Sequence, residues 1–282
     1  MLQSLPFILL GVFASALVQR YLSEPLVARW LPRHRVGVVL AASLFGFVAP
    51  VCDCGVIPLA RRLRAKGVPG YAATTFILAA PVVNPIVLLS TAVAFQGDWR
   101  IVGLRVAMTL SVAVTVGLLA ARFLPAASGP RPARAAIPGA GTGDGAPPGG
   151  LATLVRHATA EYFDVIFFII LGALFTAATQ TFVPRGDLTT LGASRVGSVL
   201  TLMPIATLLS ICSEADAFVA RAFATTFSLG AVLAFMTIGQ IVDLRNGVLL
   251  FRVLDLRLVA LVVGVAYALV LAEGVLLNGV RW

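Results

Sequence analysis

Charged residues are scarce in this chain. They make up 12% of its 282 residues, whereas hydrophobic residues make up 59%. Soluble domains carry about 25% charged residues, so the composition excludes an ordinary soluble protein and predicts an integral membrane protein. Several apolar runs approach the roughly 20 residues that a helix needs to cross the hydrocarbon core. Alternating strand patterns are absent too, which leaves an all-α, polytopic membrane fold.

Motifs of common enzyme chemistry are missing as well. The sequence has no GxxxxGK phosphate loop, no HExxH zinc motif and no GxSxG nucleophile elbow. Its two histidines, His34 and His157, lie in basic interfacial stretches. The chain has 3 cysteines, none of them in an evident soluble domain, and they do not make a disulfide framework. We therefore expect no catalytic residues, no cofactor and no ATP use by this chain itself.

The net charge of +9 does not indicate nucleic-acid binding. The 21 basic residues lie between apolar runs or at their ends, where they anchor and orient membrane segments. We expect the lipid bilayer and a small solute or ion as partners, and no nucleic acid.

A linker separates two halves of the chain. The stretch from Pro125 to Gly150 is rich in Pro, Gly and Ala and has no periodic apolar face, which predicts a flexible segment. The predicted organisation is a first transmembrane repeat at 1–124, a cytoplasmic linker at 125–156 and a second transmembrane repeat at 157–282.

The two halves resemble each other in sequence. With an offset of 160 residues, RVGVVL at 35–40 falls on RVGSVL at 195–200, and Cys52 falls on Cys212. Cys54 then falls on Glu214, and after a slip of one residue PVVN at 81–84 falls on QIVD at 240–243. This register predicts an internal repeat. The apolar units lie at about 4–22, 36–52, 70–97 and 101–124, and again at about 162–183, 196–212, 229–244 and 247–277.

The basic residues favour one topology. If every unit spans the membrane, they are divided almost evenly between the two sides. If the second unit of each half and the segment after it form a re-entrant hairpin, fifteen of the 21 basic residues gather on one face with the linker. The positive-inside rule favours this arrangement and makes that face cytoplasmic. Three full spans per half then turn the second copy upside down, as in many transporters with inverted repeats.

The first break motif is CDCG at 52–55. Irregular backbone at membrane depth is tolerated where it lines a cavity or is buried in protein, and Gly55 and Pro58 suit such a break and the helix after it. The start of that helix favours thiolate, and thiolates bind soft metal or metalloid ions. We interpret Cys52 and Cys54 as ligands of a transported ion, unless they are only small buried hydrophobes. Asp53 is either a further ligand of the transported ion or the cap of its own helix.

The second break motif is CSEAD at 212–216. Cys212 is the in-register thiol of the second copy, and Glu214 takes the place of Cys54. A carboxylate inside the membrane is costly and usually functional, so we expect Glu214 to bind the substrate or to exchange protons. Ser213 and Asp216 have the spacing of a capping box, which is the structural alternative to a substrate contact by Asp216.

A third motif, APVVNP, lies in the third apolar unit. Pro81 and Pro85 predict a break there, where Asn84 would offer an amide to a substrate and its repeat partner Asp243 a carboxylate. The alternative is a proline kink capped by Asn84. Threonines in this unit are expected to bond to their own helix backbone: Thr74, Thr75 and Thr91.

These motifs resemble a family of bacterial predicted permeases that includes the organoarsenical efflux permease ArsP. The likeness covers nearly the whole chain outside the linker and rests on CDCGVIPLARRLRAKG, FILAAPVVNPIVLLST, CSEADAFVA and GQIVDLRN. It implies transport across the bacterial plasma membrane and, in some relatives, a second membrane-associated subunit. Asp53 and Glu214 depart from the serine and the small residue that the family pattern implies. The family motif carries over onto Cys52, Cys54, Gly55, Pro58, Asn84, Cys212 and Asp216.

We therefore expect a multi-pass inner-membrane permease that moves a soft metal or metalloid ion, or its thiol-bound form, by alternating access. The two break motifs would meet near the midplane of the membrane. A second subunit or a homo-oligomer is compatible with this interpretation. The alternatives are a thiol-redox membrane enzyme that uses the same cysteines, and a scaffold subunit of a membrane complex with no pathway of its own.

Substituted-cysteine labelling tests the predicted topology. In a cysteine-free background, Lys66→Cys and Gly145→Cys should react with an impermeant thiol reagent only in opened membranes, because both positions are predicted to be cytoplasmic. Arg185→Cys and Arg195→Cys should react in intact cells. Labelling of position 66 from outside would contradict the hairpin arrangement.

Overall fold

The structure is a computed structural model. It describes residues 34–48, 67–123, 194–213, 215–243 and 256–279, together with residues 56, 57, 59, 60, 63 and 64. These residues contain eight helices and no strand, which confirms the all-α prediction for the described part. The helices are α1 (Arg35–Val48), α2 (Gly70–Ala79), α3 (Pro85–Ala94), α4 (Trp99–Phe123), α5 (Arg195–Leu209), α6 (Asp216–Phe223), α7 (Leu229–Ile241) and α8 (Leu256–Gly279).

The helices α1, α2 and α4 pack together in the first half. Val39 of α1 and Thr75 of α2 both contact the surface of α4 at Gly117, while Gly46 lies against Ala80 at the other end. The contacts therefore run in the same order along α1 and α2, so these two helices are parallel.

The helices α5, α7 and α8 pack together in the same way in the second half. The side chain of Asn278, near the end of α8, accepts a hydrogen bond from Gly230 N (2.9 Å) and donates one to Arg195 O (2.9 Å). Both α5 and α7 therefore begin beside the end of α8. Farther along, Ala206 lies against Gly239, so α5 and α7 are also parallel.

Close helix contacts occur at matching places in the two halves. The Gly46–Ala80 contact in the first half corresponds in sequence register to the Ala206–Gly239 contact in the second, with Gly and Ala exchanged. Small side chains let two helix backbones approach closely. The inversion of the second half relative to the first stays a prediction.

Two of the described helices are long and apolar enough to cross a membrane, judged by length and composition. They are α4, with a candidate span at Trp99–Arg122, and α8, with one at Val259–Gly279. The helices α4 and α8 pack against each other, α4 also contacts α7, and α3 contacts α6. Buried residues of both halves form one continuous apolar core, which positions the polar residues described below.

The contact at Gly117 can be tested with a matched pair of glycines in α4. A Cβ at Gly117 would overlap Thr75 Oγ1, whereas a Cβ at Gly103 would meet nothing within 4 Å. Gly117→Ala should therefore destabilise the protein by about 1–3 kcal/mol, as overpacking does. Gly103→Ala should leave the stability unchanged or raise it slightly.

Thermal unfolding of both variants in the same detergent measures the difference. Equal melting temperatures for Gly117→Ala and Gly103→Ala would contradict the described contact between α2 and α4.

Candidate functional site

Arg105 is the most unusual side chain in the described part of the chain. It lies six residues after the start of α4, within a candidate membrane span, and its exposed fraction is 0%. An arginine stays charged in proteins, so such a position requires partners. Its Nη1 donates a hydrogen bond to Thr91 Oγ1 on α3 (2.7 Å), and its Nη2 donates one to Asp216 Oδ2 on α6 (2.6 Å).

Asp216 also accepts a hydrogen bond from a residue of its own half of the chain. Gln240 Nε2, near the end of α7, donates to the same Oδ2 of Asp216 at 2.8 Å. Asp216 is the first residue of α6 and is 2% exposed, and its contact with Arg105 is a salt bridge. Thr91, Arg105, Asp216 and Gln240 thus form one buried group, which we call the Arg105 cluster. It joins α3 and α4 of the first half to α6 and α7 of the second.

The electrostatics of the Arg105 cluster are those of a neutralised pair. Removing two charges from water is expensive, and their attraction offsets this only with good geometry and further hydrogen bonds. Thr91 and Gln240 supply such bonds. Within the described residues, Arg105 Nε and Gln240 Oε1 have no hydrogen-bond partner. The cluster therefore has donor and acceptor capacity left inside an apolar region.

A break between α5 and α6 brings Asp216 to this position. The helix α5 ends at Leu209, and its C-cap residue Ser210 has the left-handed φ of 44° that non-glycine residues rarely adopt. The carbonyl of Cys212 then accepts hydrogen bonds from the N–H groups of Ala215 and Asp216, both 3.0 Å. Gln240 Nε2 also reaches Ile211 O at 3.5 Å. The CSEAD break is thus packed against the end of α7, beside the Arg105 cluster.

Asp216 has partners beyond the capping box predicted for it and Ser213. The helix begins at Asp216, and its N-cap residue Ala215 makes no side-chain cap hydrogen bond. The carboxylate of Asp216 instead binds Arg105 and Gln240, because a buried guanidinium is the stronger partner for a carboxylate. Ser213 is buried, and Cys212 is partly buried and lies two residues after Ser210.

The APVVNP motif forms the turn before α3. Asn84 is buried and caps α3 by accepting a hydrogen bond from Ile86 N (3.0 Å), and Pro85 occupies the first position of the helix. The capping prediction for Asn84 is confirmed, and its role as a substrate ligand stays a prediction. Pro81 is buried in the same turn, and Asp243 is buried two residues after the end of α7.

Six predicted site residues lie outside the described residues: Cys52, Asp53, Cys54, Gly55, Pro58 and Glu214. Among the residues that the structure does describe, no three His, Cys, Asp or Glu side chains are grouped so that they could hold a metal ion.

Comparison with known proteins identifies the family. A family model described as predicted permease matches residues 1–279. The chain belongs to this family of predicted membrane permeases. It is 38% identical to the UPF0718 protein YcgR of Bacillus subtilis strain 168 over 280 residues, which are 99% of the chain and 94% of that protein.

A second relative adds a different description. This permease is 34% identical over 258 residues to a putative two-component membrane permease complex subunit of Streptococcus mutans serotype c, covering 87% of the chain and 81% of the relative. No solved structure matches the permease.

Arg105 and Gln240 were missed by the sequence interpretation. Arg105 was counted among the basic residues at the ends of apolar runs, and this was wrong because the structure buries it inside α4. The available signal was its place within the apolar run at 101–124, where a charge requires a partner. Gln240 had only the weak signal of an amide in an apolar helix.

The Arg105 cluster can be tested by single and double substitution. Arg105→Met removes the cation of this buried ion pair, and breaking a buried pair from one side costs about 3–5 kcal/mol. Arg105→Met/Asp216→Leu removes both charges and should recover much of that loss. Arg100→Met, at an exposed arginine in the first turn of the same helix, is the control and should have little effect.

Yield and thermal stability in detergent measure these effects. An Arg105→Met variant as stable as the Arg100→Met control would show that the ion pair does not hold the halves together.

Proposed function

We propose that this permease moves a small solute by alternating access between its two halves. The observation that supports the proposal best is the Arg105 cluster, a buried ion pair that joins α4 of the first half to α6 of the second. Ionisable residues inside membrane segments are rare, face the protein interior, and mark substrate or ion pathways. Asp216, one member of this pair, is the last residue of the CSEAD motif.

The cluster supplies a contact that two conformations could make differently. Arg105 and Thr91 belong to one half, whereas Asp216 and Gln240 belong to the other. Alternating access in transporters built from repeats is largely a rigid-body movement of one repeat against the other. In our proposal this ion pair closes one side of the pathway and is rearranged when the halves move.

The substrate class follows from the thiols. We propose a soft metal or metalloid ion, or its thiol-bound form, with Cys52, Cys54 and Cys212 as ligands, since thiolates select soft ions. Asp216 is already neutralised by Arg105, so its carboxylate serves the contact between the halves and is a poor ligand for a cation. Glu214 remains the carboxylate proposed for substrate binding or coupling, and Asn84 and Asp243 remain proposed pathway residues.

The organisation of the whole protein is part of the same proposal. We propose that the permease is a multi-pass protein of the bacterial plasma membrane. Its inverted repeats would lie at 1–124 and 157–282, with a cytoplasmic linker at 125–156. The name of the streptococcal relative describes a complex subunit, which supports a second membrane subunit as a partner. That name also favours, as a second candidate function, a scaffold subunit without a pathway of its own.

A deletion strain and its complement test the proposed function. Cells are challenged with arsenite, a methylated trivalent arsenical, cadmium and silver, and their metal content is measured. Strains complemented with Cys54→Ser or Cys212→Ser should have the metal content of the deletion strain. Each substitution removes a soft ligand with little change in side-chain volume. Ser90→Ala is the control, since the Ser90 hydroxyl bonds to Val87 O within its own helix.

Expression of each variant is compared on the same membranes. Full activity of both cysteine variants would reject the soft-ion proposal, and loss of activity at normal expression would reject the scaffold. A thiol-redox enzyme would instead change the redox state of cellular thiols without changing the metal content.

A further inference from the structure

A second carboxyl group inside a candidate span is not explained by the Arg105 cluster. Glu273 lies in α8, where its side chain meets α4 through a hydrogen bond between Glu273 Oε1 and the hydroxyl of Ser111. The residue is partly buried, and Glu273 Oε2 is buried without a hydrogen-bond partner among the described residues. The contact joins the two longest described helices, one from each half.

The hydrogen bonds of Ser111 bear on whether Glu273 carries a proton. The Ser111 hydroxyl lies within hydrogen-bonding distance of two acceptors, Met108 O at 2.7 Å and Glu273 Oε1. A hydroxyl has one proton to donate and two lone pairs that accept. If Ser111 donates to Met108 O, its contact with Glu273 is a hydrogen bond only when the carboxyl group is protonated and donates to Ser111 Oγ.

No cation balances a negative charge at Glu273 in the described part of the chain. The helices packed against α8 carry few ionisable side chains, and none of them forms an ion pair with Glu273. Arg105 already binds Asp216, and the Tyr267 hydroxyl pairs with Thr207 Oγ1 at 2.5 Å. Besides Glu273, the ionisable residues of α8 and of the helices packed against it (α4, α5 and α7) are Arg100, Arg105, Arg122, Arg195, Arg257 and Tyr267.

We propose that Glu273 is a proton-binding site of this permease, protonated in the described conformation and donating its hydrogen bond to Ser111. Release of the proton leaves a carboxylate whose hydrogen bond from Ser111 is available only if Ser111 gives up Met108 O. The contact between α4 and α8 then changes with the occupancy of the site. Proton binding by Glu273 does not depend on the proposed function. Only the use of this proton to drive transport rests on it.

A hydrophobic carbodiimide tests the site without any substrate. The reagent dissolves in the bilayer and adds covalently to protonated carboxyl groups, so it should modify Glu273 in the purified permease in lipid nanodiscs at neutral pH. Mass spectrometry of peptides locates the modification, which should decrease as the pH is raised. Asp216 provides an internal control and should stay unmodified, because Arg105 holds it as a carboxylate.

The variant Glu273→Gln removes the reactive group while its amide can still donate to Ser111. It should lose the modification and remain monodisperse. Infrared difference spectra between neutral and alkaline pH give a reading that does not depend on access of the reagent. The wild type should show the carbonyl band of a protonated carboxyl group, and Glu273→Gln should not.

Two results would overturn the proposal. One is a carbonyl band that is the same in the wild type and in Glu273→Gln. The other is modification of Glu273 only at the acidic pH at which ordinary exposed carboxyl groups react, since Glu273 would then behave as one of them. A permease that binds the proton but transports nothing would contradict the proposed function and leave this site intact.

Discussion

The guanidinium of Arg105 is sealed inside an apolar helix bundle, and it cannot lose its charge there. Its burial is tolerable only because Asp216 meets it at 2.6 Å and Thr91 accepts from its other terminal nitrogen. This requirement fixes much of the surrounding structure. The helix α6 must start where its first residue reaches α4, and α3 must lie alongside so that Thr91 faces the same point. The end of α7 completes the group through Gln240.

The break in the second half follows from the same requirement. A continuous helix through residues 195–223 would carry Asp216 along the direction of α5, away from Arg105. The left-handed turn at Ser210 and the hydrogen bonds to Cys212 O redirect the chain before α6 begins. An unusual backbone conformation of this kind persists where the surrounding structure compensates for it. Cys212 lies within this break and therefore next to the contact between the two halves.

Polar contacts between the halves are few in the described part of the chain, and they join different pairs of helices. The Arg105 cluster connects α3 and α4 to α6 and α7, and the pair of Ser111 with Glu273 connects α4 to α8. Apolar packing fills the space around them. Lipid is as apolar as the helix surfaces, so helices in membranes associate through close packing and hydrogen bonds. Because such contacts are few, a change in one ion pair or in one protonated group can change how the two halves pack.

The sequence by itself determined the membrane class, the all-α fold, the family and the helix cap at Asn84. Composition and apolar run length are properties of the chain, and the capping of α3 by Asn84 depends on neighbours two residues apart. The tertiary structure alone decided the partners of the charged side chains. Arg105 and Asp216 are 111 positions apart in the chain, and no local pattern pairs them. Asp216 looked like a capping residue and Arg105 like a membrane anchor, because both roles are local. The actual roles depend on which helices pack together, and Gln240 and Glu273 acquired theirs in the same way.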